Sequence, residues 1–199
     1  MTDPGGDDPI PEPSPAVALG LVQAALVLAA FPAGSLLGQP PLATLTWEWA
    51  GLGWGVVAAL PMVGVFFLLY HVPFGPFGPV RRFTEEVLVP ILRRCSVFEL
   101  FALALLAGVG EELLFRGVVQ AALTREVGLA WGVALASILF GLMHPFTLGY
   151  VLLTTLFGAY LGLAWVWTGN LLVPVVAHFL YDLVAMVYLT RTPATSSPA

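Results

Sequence analysis

The sequence predicts an all-α fold, a multi-pass transmembrane helical bundle of about six spans. Three observations carry this expectation. Hydrophobic residues make up 59% of the 199-residue chain and charged residues only 10%, against about 45–50% and about 25% in an ordinary soluble domain. The apolar residues gather into six stretches, most of them near the roughly 20 residues that a helix needs to cross a bilayer. Turn-forming clusters separate these stretches, and arginines crowd between two of them.

Residues 1–15 (MTDPGGDDPIPEPSP) are rich in Pro, Gly and Asp and predict a disordered acidic tail. Residues 16–79 predict two N-terminal transmembrane helices. The first covers 16–37, with Pro32 as a tolerable kink, and the second covers 51–70. QPP at 39–41 turns the chain between them, and FGPFGP at 74–79 ends the pair. In 80–95 (VRRFTEEVLVPILRRC) Val80, Phe83, Val87, Ile91 and Cys95 recur near helical spacing, with Arg and Glu on the other faces. That pattern predicts a cytoplasmic interfacial helix on anionic lipid, broken near Pro90, or equally a solvated loop whose charges set the topology. Residues 96–190 predict the functional core, with spans at 98–123, 129–144, 146–167 and 171–189. The fourth span is short and stops at Pro145, and TGN at 168–170 separates the last two. Residues 191–199 predict a loose polar tail.

All seven basic residues are arginine, and Arg81, Arg82, Arg93 and Arg94 lie between the second and third spans. Positive charge favours the cytoplasmic face, so six spans put both termini in the cytoplasm of a cell-membrane protein. Arg191 agrees and Arg125 is an exception. The six tryptophans then fall near the outer ends of spans. A net charge of −5 gives no basic surface for nucleic acid. Cys95 is the single cysteine, which excludes an internal disulfide. It lies outside the spans that carry histidines, which argues against a cysteine nucleophile.

An ionisable side chain inside a span costs from about 2.5 kcal/mol upward and normally faces the bundle interior. The candidates are Glu111, Glu112 and Arg116 in GEELLFRG (110–117), His144 at the end of FGLMH, and His178 and Asp182 in HFLYD. Glu112 and Arg116 are four apart in the favoured order for a helical ion pair, and their expected role is structural. Glu111 lies about 100° around the helix from Glu112, without a local cationic partner, and is the carboxylate free for acid–base chemistry. His178 and Asp182 share a helix face, so the aspartate is expected to fix the imidazole. Polar groups in hydrocarbon need partners, so these side chains are expected to converge on one small polar chamber. His71, beside the 74–79 turns, reads as interfacial.

EELLFR, FGLMH and HFLYD match EExxxR, FxxxH and HxxxN/D in order and spacing. Over about 96–189 the chain thereby resembles the CPBP family of intramembrane glutamic endopeptidases, related to the type II CAAX prenyl proteases. The resemblance implies a metal-independent protease without a cofactor, in contact with membrane lipids and acting on a membrane-associated peptide or lipidated protein. It implies that Glu111 with His144 activates water, that His178 and Asp182 stabilise the oxyanion, and that Glu112 and Arg116 support the site. Asp182 stands where the closest prenyl proteases carry asparagine; an ionised aspartate only accepts hydrogen bonds, so orienting His178 is the role that suits it. Two other readings remain open. Glu, His and Asp are acceptable zinc ligands, although no HExxH occurs, and a non-catalytic immunity or scaffold protein could keep the same fold.

Overall fold

The computed structural model describes residues 14–72 and 74–192. All regular elements among the described residues are helical, in agreement with the all-α class. The long helices are α1 (Pro15–Leu37) and α2 (Trp49–His71). After a 3₁₀ turn at Gly75–Phe77 come two short helices, α3 (Gly78–Phe83) and α4 (Val89–Leu92), then α5 (Val97–Glu112), α6 (Ala121–Val127), α7 (Leu129–Leu142), α8 (Leu148–Thr168) and α9 (Leu172–Arg191). Wide π-helical turns join α3 to α4 (Thr84–Leu88) and α5 to α6 (Leu113–Gln120).

Four helices, α1, α2, α8 and α9, are long and apolar enough to cross a membrane by length and composition. The other two expected spans take different forms. The stretch 98–123 lies within one helical run that passes from α5 through the π turn into α6, and 129–144 is the shorter apolar helix α7. The helix α7 stops at Leu142, leaving His144 outside it, because Pro145 disfavours helical backbone at the residue before it.

Local chemistry sets the helix ends. The Ser14 hydroxyl accepts from the Ala16 amide at 3.3 Å, and Pro15 sits in the first turn, where a missing N–H leaves no bond unmade. These two residues therefore start α1; the rest of the expected tail at 1–15 lies outside the described residues, as does the expected tail at 191–199 beyond Arg191 and Thr192. Ser96 and Glu99 form a reciprocal capping box at the start of α5. The interfacial segment is not broken at Pro90. Helix continues through it, and the π turn immediately before it widens the backbone where the proline ring would crowd the preceding turn.

The helix α9 packs between α2 and α5, α5 also meets α1, and α7 lies against α8. Polar side chains clasp the bundle at both ends. At one end Asn170 accepts from the Thr46 and Leu172 amides at 3.1 and 2.9 Å and donates to the Thr46 carbonyl at 2.9 Å. Trp165 donates to the Thr44 hydroxyl at 2.9 Å, and Trp54 and Trp167 lie 5.7 Å apart. At the opposite end Tyr188 meets His71 Nε2 at 3.0 Å, and Arg93 donates to the Thr192 carbonyl.

The contact between α5 and α9 decides where the polar residues go. A Cβ at Gly108 would lie 2.9 Å from the Phe179 amide nitrogen and 3.0 Å from the Val175 carbonyl oxygen. Only hydrogen fits there, so the two backbones close on each other one turn before the glutamates and on either side of His178. Gly108→Leu is expected to force the helices apart and lower stability by about 3 kcal/mol, read as a lower thermal unfolding midpoint in detergent.

Candidate active site

The helix α5 ends on two carboxylates that point different ways. Glu112 is fully buried, and its Oε1 accepts from Arg116 NH1 at 2.8 Å and from His178 Nδ1 at 2.8 Å. One oxygen thus bridges the π turn to α9. Arg116, 1% exposed, places its second guanidinium nitrogen 2.9 Å from the Gly158 carbonyl and its charge 4.6 Å from the centre of the Phe140 ring. One turn on, Gln120 donates to the Gly162 carbonyl at 3.2 Å. Gly158 and Gly162 carry no side chain to cover those carbonyls, so the paired polar residues of the π turn dock on a paired-glycine face of α8.

Because a carboxylate only accepts, His178 Nδ1 carries a proton. The sequence expectation named Asp182 as the partner of this ring, and the structure adds a second. Glu112 holds the ring, through a pairing 66 residues apart, while Asp182 Oδ2 lies 3.5 Å from the other nitrogen, Nε2. The helical spacing of 178 and 182 brings the two groups together but on the nitrogen that faces the site.

Glu111 turns the other way. Its Oε1 accepts from Gln23 Nε2 at 2.9 Å. Its Oε2 lies 3.9 Å from both His144 Nε2 and His178 Nε2 and is buried with no hydrogen-bond partner among the described residues. A buried carboxylate oxygen left unpaired is costly; Glu112 Oε2 shares that state, but Glu111 Oε2 is the one that faces two imidazoles. His144 is held by its own helix end: Nδ1 donates to the Phe140 carbonyl at 2.9 Å, which directs Nε2 toward Glu111. Its ring stacks on Tyr150, 6.2 Å between centres and 21° from parallel.

Glu111, His144, His178 and Asp182 line one cavity of about 270 Å³. Glu112 and Arg116 stand behind this wall. Gln23, Tyr150 and Tyr181 also line the cavity, and sequence reasoning missed all three. Gln23 had a signal, as a side-chain amide in the middle of an apolar span; the tyrosines had none. Beyond the polar wall the lining is apolar, with Leu88, Leu92 and Leu189. Cys95 does not line the cavity, and burial pushes its thiol up from its ordinary pKa, which leaves it a poor nucleophile. Among the described residues no group of three or more His, Cys, Asp or Glu side chains is arranged to hold a metal ion.

Comparison with known proteins finds the same segment. Residues 93–184 match the type II CAAX prenyl endopeptidase Rce1-like family. The uncharacterized protein YpbD of Bacillus subtilis (strain 168) is 40% identical over 97 residues, which cover 47% of this chain and 47% of that protein. The match therefore spans about half the length of that curated relative. No solved structure matches the chain. This similarity, together with four apolar helices of membrane length, supports a membrane location. The matched stretch, 93–184, carries all six candidate residues and is similar to the Rce1-like type II CAAX prenyl endopeptidases.

Proposed function

We propose that the chain is an intramembrane, metal-independent endopeptidase of the glutamate type, acting on a membrane-associated or lipidated peptide. The observation that carries this reading is the buried, unpaired Oε2 of Glu111, 3.9 Å from the Nε2 atoms of two histidines. A water hydrogen-bonded at about 2.8 Å to both Glu111 Oε2 and His144 Nε2 gives up a proton as it attacks the scissile carbonyl. The carbonyl oxygen becomes an oxyanion facing His178 Nε2. With Glu112 at one ring nitrogen and Asp182 near the other, His178 carries a proton on each, and Nε2 donates to the developing charge. Glu111, which took the proton of that water, passes it to the amide nitrogen; the oxyanion re-forms the carbonyl as the C–N bond breaks and the amine leaves. Asp182 shapes the oxyanion site through His178, not as a donor itself. The apolar end of the cavity accommodates a hydrophobic stretch of substrate, and lipid surrounds the bundle. The arginines between α2 and α5 support a cytoplasmic position for that end and for both termini.

Comparing the peptide ends present in membranes that contain the wild type or Glu111→Gln tests the activity. The expected outcome is a set of ends that disappears in Glu111→Gln, with turnover reduced by at least about 10³-fold while the thermal midpoint stays within a few degrees. An unchanged set of ends favours the scaffold reading. Glu112→Gln behaves differently, because it leaves Arg116 buried without its counter-charge. It is expected to cost about 3–5 kcal/mol of stability, seen as a lower unfolding midpoint together with lost activity. Treatment with a strong chelator is expected to leave hydrolysis unchanged; activity that disappears and returns with added zinc would overturn the metal-independent mechanism.

A further inference from the structure

Gln23 stands apart in α1, whose buried positions are Ala16, Ala30 and Gly34. Its amide nitrogen donates to Glu111 Oε1 at 2.9 Å, and it lines the cavity. A carboxylate cannot donate when ionised, so it fixes which way the amide turns, with Nε2 inward. The backbone is built for this approach. A Cβ at Gly110 would lie 2.9 Å from the Gln23 carbonyl oxygen and 3.1 Å from a Val27 methyl. Hydrogen at position 110 therefore lets α1 close on α5 one residue before Glu111.

We propose that Gln23 is a positioning residue for Glu111, supplied by the first helix from outside the 93–184 family segment. By holding Oε1 it leaves Oε2 as the oxygen turned toward His144 and His178. The inference rests on the endopeptidase reading, with Glu111 as the group that takes and returns the proton. It makes α1 part of the catalytic apparatus rather than a lipid anchor, even though most of its surface is exposed.

The test uses the full chain in lipid nanodiscs and a synthetic peptide spanning a cleavage that Glu111→Gln abolishes. Gln23→Leu keeps the bulk of the side chain and removes the donor. A misplaced catalytic group costs up to about 10²-fold. The expected result is kcat lower by about 10- to 100-fold, KM within about twofold and an unfolding midpoint within a few degrees. If Gln23→Leu does not fold, Gln23→Met carries the same comparison. Gly110→Ala, with Gln23 intact, gives a loss of the same kind, and the double variant loses no more than the worse single variant, because both act on one contact. Wild-type kcat in Gln23→Leu, or a loss confined to KM, overturns the proposal and leaves the requirement for Glu111 standing. Membranes in which Glu111→Gln yields the same peptide ends as the wild type overturn both.

Discussion

The Glu112 carboxylate is the constraint around which the lower half of the bundle is arranged. It is fully buried, and a lone charge in such a place is not tolerated. One of its oxygens takes a guanidinium and an imidazole at once. Arg116 in turn takes a backbone carbonyl of α8, so a single anion ties α5, the following π turn, α8 and α9 into one unit. Close glycine contacts let the helices approach, and the charge fixes their rotation. At the cavity wall His178 takes its position directly from that arrangement.

Composition and hydrophobic runs were enough to read the all-α membrane class, because lipid allows few other solutions for a long apolar backbone. The caps at Ser14 and Ser96 went unread, although their signal is local: a serine side chain can satisfy a free amide two or three residues on. Pairing across the chain was harder. Glu112 and Arg116 meet within one helix and could be read from spacing. Glu112 and His178 are 66 residues apart and Gln23 and Glu111 are 88 apart, and nothing local marks those contacts. For His178 the i,i+4 spacing located Asp182, a real neighbour, but gave no sign of the shorter contact from Glu112 on a different helix. The π turns were also invisible, because a wider turn changes hydrogen-bond register without changing composition.

The family match starts in the interfacial segment and stops within α9, yet α1 and α2 are not peripheral in space. The helix α2 packs on α9, and α1 crosses α5 at the glutamates. Sequence similarity tracks the chemistry-bearing motifs, whereas the walls that shape the cavity come from both sides of that limit. Gln23, Met62 and Phe66 line the same space as Glu111 and His178.

The π turn at Leu113–Gln120 holds one residue more per turn than ordinary helix would. Arg116 looks back to Glu112 and across to Gly158, while Gln120 looks across to Gly162. An α-helix advances 100° per residue. Removing a single amino acid from this turn would therefore rotate everything downstream by about a quarter of a circle relative to the glutamates, and α7 with His144 would be carried around with it. Chain length in this short stretch is thus constrained together with the buried side chains it carries, and a one-residue deletion here would displace more of the site than a single substitution.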